Sequence, residues 1–375
     1  MTLIFQDFDF YFIRHFTIAD HVHDVQIIGL SLVHGLARDG LGSDADGGGC
    51  VLMGQDASLS LSEVTLQHCN APQNSESGRG GAIFVGARST LSVKESTIAD
   101  CSSGQNGGGI YSDKHSHLEM FGVVLETLST GTCPCVSTCP CISNAWVDSY
   151  GDDCKAYAKH PSWCGFGESD RNCCACGGGR RATQFCEPTG AGGAYFAASH
   201  VSITMQSVEF RFCTAALMAG GAYLEHNVVA NISDSAFLDC VSTDGGAMML
   251  NGNVSLRLTN ISMHRNRASS SNGRGHGGAL KAAVGGNTIS IHNGTVVDNF
   301  AGKDGAGFHL TSSILDATHL SVNGNTAAEF GGAAYLETSS TLTVSSSSMD
   351  DNMAGGNGGG VWAHESSTVI LQVND

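Results

Sequence analysis

The segment Gly80-Gly81-Ala82-Ile83-Phe84-Val85-Gly86-Ala87-Arg88-Ser89-Thr90-Leu91-Ser92-Val93-Lys94-Glu95-Ser96-Thr97-Ile98-Ala99-Asp100-Cys101 decides the fold. A glycine pair leads into Ala82–Val85, Gly86–Ser89 turns the chain, and Thr90–Lys94 alternates with the period of two of a strand. Glu95-Ser96 turns again, and Thr97–Asp100 runs to Cys101 as a third short strand. About 27 residues with three strands and no helical period describe one coil of a parallel β-helix. A lone coil cannot bury its inward row, so coils must stack.

The same unit recurs along the chain. A Gly-Gly-Ala/Gly-apolar motif, counting one variant, starts at Gly47, Gly80, Gly107, Gly192, Gly220, Gly245, Gly277, Gly305, Gly331 and Gly358, with gaps of 33, 27, 85, 28, 25, 32, 28, 26 and 27 residues. A second landmark follows each of the first nine: Cys69, Cys101, Thr127, Cys213, Cys240, Asn266, Asn299, Asn325 and Asn352. The glycine-to-landmark distance stays between 20 and 22 residues. Length variation therefore falls between a landmark and the next glycine, as in a solenoid with a rigid body and one permissive loop. Asp24–Val33 fits a further coil with Gly35 in the landmark column, giving ten to eleven coils. The expectation is an all-β, right-handed parallel β-helix in two continuous parts, 1–127 and 189–375, interrupted by an inserted module at 128–188.

Stacking places equivalent residues about 4.8 Å apart. Asn266, Asn299, Asn325 and Asn352 are thus expected to form a hydrogen-bonded ladder, and the glycines to serve a positive φ or a close approach. The landmark cysteines have two readings. They are stacked small thiols, or Cys69–Cys101 and Cys213–Cys240 are disulfides, since the coil spacing lies within the usual Cα range of a bridge.

The long gap holds ten of the 15 Cys: Cys133, Cys135, Cys139, Cys141, Cys154, Cys164, Cys173, Cys174, Cys176 and Cys186. It also holds four of the five Pro. An even count at this density reads as a disulfide scaffold; the rival is metal binding with His160, for which only Cys173 and Cys176 show C-x2-C spacing. Disulfides place the chain in an oxidising compartment, extracellular or at the cell surface. N-x-S/T sequons at Asn231, Asn253, Asn260 and Asn293 are glycosylation candidates.

Composition excludes other classes. With 18 Lys+Arg against 35 Asp+Glu the net charge is −17, which disfavours nucleic-acid partners. No apolar run approaches the roughly 20 residues of a membrane-spanning helix. Met1–Ile18 is Phe-rich but carries Asp7, Asp9, Arg14 and His15, unlike a signal peptide. Neither end shows the polar cap that solenoids usually need, so the chain reads as part of a larger protein or an incomplete gene model.

The glycine units paired with a strand ending in Asn or Cys resemble the repeats of chlamydial polymorphic outer-membrane proteins, and are similar to the right-handed β-helix, pectin-lyase-like superfamily. The position three before the landmark is always apolar, but it is Phe only at Phe210 and Phe237, and both of those coils end in Cys. No coil therefore carries a full F-x-x-N. The insert, from Trp146-Val147-Asp148-Ser149-Tyr150-Gly151 through Cys173-Cys174-Ala175-Cys176-Gly177-Gly178-Gly179, resembles small Cys-rich modules of protist and algal surface proteins.

The superfamily includes polysaccharide lyases and hydrolases, and Gly275-His276-Gly277 matches the Gly-His-Gly triplet of polygalacturonase-like enzymes. The carboxylates that such enzymes place beside it are missing. Asp350-Asp351 is about three coils away, whereas glycoside hydrolysis needs a pair flanking one bond. His276 is therefore read as a loop residue before a structural glycine pair. Asp100, Asp239, Asp298 and Asp351, one before their landmarks, read as a solvated face. His21-Val22-His23 and His115-Ser116-His117 are at most weak metal sites. The sequence thus assigns no catalytic, cofactor or metal residue and no cofactor. The expected function is a non-enzymatic surface protein, structural or adhesive, with carbohydrate or other surface proteins as partners. The alternatives are a polysaccharide lyase or glycoside hydrolase, and an intracellular scaffold.

Overall fold

Two structural needs recur at every repeat: an inward apolar row and a tight corner. The computed structural model describes residues 14–37, 47–71, 78–130, 190–269 and 274–372. These are strands and turns with no helix, so no helix among them is long and apolar enough to cross a membrane. The strands form three sheets of 11, 18 and 9 strands. Successive repeats pair in parallel at the same positions, as in Ile83↔Ile110 in the first sheet, Leu91↔Leu118 in the second and Ser102↔Ser129 in the third. This is an all-β, parallel-sheet architecture compatible with a parallel β-helix.

The repeat quoted above contributes Ile83–Val85 to the first sheet, Thr90–Lys94 and Thr97–Ala99 to the second, and Ser102–Ser103 to the third. The second and third strands read from the sequence therefore share one sheet. Glu95, at φ 44°, only kinks the chain between them. The true corner lies at Asp100, at φ 51°, after which the two-residue third-sheet strand begins. Asp239, Asp298 and Asp351 occupy the same left-handed corner in their repeats. Asp tolerates this region because its short polar side chain bonds locally, so these residues make corners as well as face solvent.

Register corrects three landmarks. Val51 pairs with Ile83, so Gly48 (φ 66°), not Gly47, is equivalent to Gly80 (φ 65°). Tyr195 pairs with Ala222, so Ala219 (φ 56°), not Gly220, holds the glycine position. Ala99 pairs with Glu126, so Leu128, not Thr127, continues the landmark column below Cys101. With these shifts the glycine-to-landmark distance becomes 21 residues in seven of nine repeats. A Cβ at Gly305 would lie 2.2 Å from the Phe308 carbonyl oxygen. Close approach and positive φ thus both select glycine there.

The inward positions, such as Ile83, Leu91, Val93 and Ile98, are fully buried in one continuous core. Burial of each such side chain contributes roughly 1.5–3 kcal/mol. The landmark column is a ladder of side chain to backbone bonds. The Oδ1 of Asn266, Asn299, Asn325 and Asn352 accepts the N–H of Cys240, Asn266, Asn299 and Asn325 respectively, at 2.9–3.1 Å. Cys101 Sγ plays the same part for the Cys69 N–H at 3.3 Å.

Of the two readings of the landmark cysteines, the bridges Cys69–Cys101 and Cys213–Cys240 do not form. Cys69 is bonded to Cys50, with a Cα separation of 5.5 Å, while Cys101, Cys213 and Cys240 are buried free thiols. Cys50 lies at the start of the first-sheet strand of its own repeat, across the core from its landmark, and so competes successfully with the next repeat. Of the two readings of the column, stacked thiols hold for Cys101, Cys213 and Cys240.

The sequence segment 24–33 supplies a further repeat: Val25–Ile28 pairs with Ser58–Ser62, and Ser31–Val33 with Thr65–Gln67. Ser129–Thr130 pairs with Ser102–Ser103 in the third sheet. Ile110 and Tyr195 are direct partners across the long gap. Residues 131–189, with the ten disulfide candidates Cys133 to Cys186, lie outside the described residues.

Candidate functional site

Two outward columns flank each glycine of the first sheet. Four residues after it stands a column that runs Leu52, Phe84, Tyr111, Phe196, Tyr223, Met249, Lys281, His309, Tyr335 and Trp362, as the register fixes. One residue before the glycine stands the second column, bridged from repeat to repeat as in Ala191↔Met218 and Met218↔Asp244. It continues through His276, Asp304 and Phe330.

In the first half these columns form a satellite apolar cluster on the outer face of the sheet. Phe84, Tyr111, Phe196 and Tyr223 stack at 5.0–5.2 Å between centroids, with interplanar angles of 9–12°. Offset stacking is favourable for aromatic quadrupoles. Burial pushes the Tyr111 and Tyr223 phenols up to about 12.

From Asp244 to His309 charged and polar residues enter the same slots. Lys281 Nζ lies 3.0 Å from Asp244 Oδ2, while Asp244 Oδ1 accepts the N–H groups of Gly275 and His276 at 3.0 Å. Burial alone would raise the Asp244 carboxyl, but the Lys281 ammonium and these amides outweigh it and hold the group below its usual range. In the next two repeats His276 Nδ1 is 3.3 Å from Asp304 Oδ2. The His276 and His309 rings are 4.5 Å apart at 55°, and His309 stacks on Tyr335 at 5.0 Å.

His309 is 2% and Asp304 3% exposed. Burial, then the positive charges of His276, Lys281 and Lys303, lowers the His309 imidazole well below its ordinary range, so it is neutral at pH 7. His309 Nε2 lies 3.8 Å from Glu337 Oε1, and its buried Nδ1 has no hydrogen-bond partner. Glu337 Oε1 also accepts a hydrogen bond from Thr311 Oγ1 at 2.9 Å. One ligand-type atom from each of His276, Asp304 and His309 falls within 4.8 Å of the others. Chemically, the cluster offers two imidazoles and a carboxylate to a cation, or proton carriers to a reaction.

The sequence reading gave His276 only a loop role and assigned no metal ligand; the structure brings it against Asp304 and His309, one repeat on. The signal lies in the residue types one before and four after each glycine, and it emerges only when those positions are compared across repeats. The other histidine pairs are dispersed: His115 stacks on His200 at 4.8 Å, His117 Nε2 meets Glu119 at 3.1 Å, and His21 Nδ1 lies 3.8 Å from Asp56.

The four sequon asparagines are exposed. Asn231 lies mid-strand within Val229–Ser233, and Asn253 occupies a turn at φ 54°. Asn260 and Asn293 form a short surface ladder. Asn293 Nδ2 donates to Asn260 Oδ1 at 2.7 Å, and Asn260 Nδ2 to Asp234 Oδ1 at 2.8 Å. No family model, no curated protein and no solved structure matches this chain.

Proposed function

We propose that the chain is a non-enzymatic, right-handed parallel β-helix of the pectin-lyase-like class. It works outside the cell or on its surface as a stiff structural or adhesive scaffold that contacts carbohydrate or another surface protein. The observation that carries this reading is the outer face of the second sheet. Thr204, Asn231, Arg257, Ser290 and Asp316 stand in one register and point to solvent. Regularly spaced hydroxyl, amide and charged groups suit a polymer with a hydroxyl repeat. On this face a shallow depression of about 240 Å³ is lined by Ser92, Lys94, Glu119, Phe121, Thr204 and Gln206. Phe121 is 44% exposed and offers a flat apolar surface amid polar groups. The Cys50–Cys69 bridge suits the oxidising compartment that this reading requires.

A polysaccharide lyase or hydrolase is the second reading, favoured by the gathering of Lys281, His309 and Tyr335 beside His276. The burial of His309 and Asp304 weighs against it, because substrate could not reach them without rearrangement of the groups around them. The purified chain on an array of neutral and acidic glycans distinguishes the two. Binding weakened at least tenfold by Phe121→Ala, without turnover, is the expected result. Turnover of an acidic polysaccharide that His276→Ala abolishes would establish the enzyme reading instead.

A further inference from the structure

We propose that His276, Asp304 and His309 form a three-ligand site for a divalent transition metal of the zinc class. The inference does not depend on the surface-scaffold reading. Two imidazoles with one carboxylate favour zinc, cobalt or nickel over calcium and magnesium, which take mostly oxygen ligands. Tetrahedral zinc with bonds of about 2.0–2.2 Å sets its ligand atoms roughly 3.4 Å apart. The 3.3 Å between His276 Nδ1 and Asp304 Oδ2 already meets that distance. His309 offers a ligand atom within 4.8 Å of both.

The framework around the three groups is built to hold them. His276 and Asp304 directly precede Gly277 and Gly305, whose backbones are fixed at φ 68° and 64°, and His309 projects from a paired strand. Asp304 Oδ1 accepts the Phe330 N–H at 3.1 Å, which orients the carboxylate and leaves Oδ2 directed at His276. A second observation points independently to a ligand: the Nδ1 of His309, in a side chain 2% exposed, has no hydrogen-bond partner. A buried imidazole nitrogen left without a bond is costly, and a cation bound at that nitrogen would relieve it. Glu337, 3.8 Å from His309 Nε2, is placed to orient that ring or to complete the coordination. Lys281 does not compete for Asp304, because its ammonium is held by Asp244 at 3.0 Å.

The test is titration of the tag-free, metal-stripped full chain with Co2+, read by visible absorption, together with Zn2+ stoichiometry after dialysis. The expected result is one Co2+ with ligand-field bands of a four-coordinate nitrogen and oxygen site. Asp304→Asn keeps the acceptor for the Phe330 N–H, and His276→Gln keeps a polar group in the loop. Each should weaken binding at least tenfold and remove the metal-dependent rise in melting temperature while leaving the metal-free circular dichroism spectrum unchanged. His117→Ala, at an exposed pair elsewhere, should bind as the parent does. Failure of the parent chain to bind, or binding that both ligand variants retain, would overturn the assignment. So would near-ultraviolet thiolate charge-transfer bands alone, which would place the metal on cysteines.

Discussion

The Asn299 side chain makes four hydrogen bonds within the landmark ladder, and replacing it tests the stacking argument directly. It is 1% exposed. Its Oδ1 accepts the Asn266 N–H at 2.9 Å and the Asn266 Nδ2 at 3.0 Å. Its Nδ2 donates to the Met263 carbonyl and to Asn325 Oδ1, both at 2.9 Å. Asn299→Ala removes the acceptor of a buried N–H, which costs about 1–3 kcal/mol. Asn266 Nδ2 retains the Phe237 carbonyl at 3.0 Å, and Asn325 Oδ1 retains the Asn299 N–H at 3.0 Å. The other three lost bonds therefore add only about 1 kcal/mol each, and the total is about 4–6 kcal/mol.

Two companions calibrate that figure. Asn299→Cys restores what the sequence itself uses at Cys101, a sulfur accepting the N–H at 3.3 Å, and should cost roughly half as much. Asn352 bonds the Asn325 N–H at 3.1 Å and Nδ2 at 2.9 Å but is half-exposed. Water can replace it there, and Asn352→Ala should cost about 1 kcal/mol. Urea unfolding followed by circular dichroism reads all three. If Asn299→Ala and Asn352→Ala cost the same, the ladder does not stabilise the stack through buried hydrogen bonds.

Phe212 and Ala219 stand at φ 52° and 56° in columns otherwise suited to Gly or Asp, and Phe212 is 55% exposed. Phe212→Gly and Ala219→Gly should each raise stability by about 1 kcal/mol, whereas Gly305→Ala should lower it by more; a destabilised Phe212→Gly in urea unfolding would refute the strain argument. The buried Tyr111 phenol is raised from 10 to about 12, so its contribution is complete below pH 10 and is lost as pH rises through about 12. That loss is about 3 kcal/mol, and Tyr111→Phe should move alkaline unfolding to higher pH, which a pH series of circular dichroism checks. Burial raises the Cys101 thiol to about 12 and the Cys213 thiol well above its usual range. Neither should alkylate with iodoacetamide at pH 8 until the chain unfolds, as peptide mapping would show.

The fold was legible because glycine, apolar and landmark positions recur at nearly constant distance, and a stack amplifies any such period. The errors of register came from matching residue identity where the backbone sets conformation. Ala219 carries the left-handed geometry beside the more conspicuous Gly220, and Leu128 fills the landmark slot beside the more polar Thr127. Three parallel sheets are as the repeat predicts, but the third is built from strands such as Ser102–Ser103 rather than Thr97–Ala99, because two-residue strands are too short to show alternation. Cys50 was missed for a different reason: its bridge crosses the core within one repeat rather than along the column. The polar cluster was the hardest to read. His276, Asp304 and His309 come from two repeats, and each taken alone reads as a loop or strand residue. Only the offset of one before and four after the glycine places them together.

That offset also explains how charge is tolerated in a column built for stacked rings. Lys281 occupies the slot of Met249 in the preceding repeat, with its side chain 13% exposed. An ammonium there is costly unless an anion is delivered to it. Asp244, four residues before Met248 on the neighbouring repeat, delivers that anion at 3.0 Å while its other oxygen holds two backbone amides. The ammonium at Lys281 therefore depends on the carboxylate of Asp244. A double-mutant cycle measures this dependence. Asp244→Asn retains the oxygen that caps Gly275 and His276 but leaves the ammonium unpaired, and should cost about 3 kcal/mol. Lys281→Met restores the residue type of the adjacent repeat and leaves a carboxylate still bound to two amides, so it should cost less. The pair together should return to within about 1 kcal/mol of the parent, giving a coupling of roughly 2 kcal/mol in urea unfolding. Additive losses would mean that Lys281 is solvated rather than held by Asp244, and that the polar half of the column lies open to water.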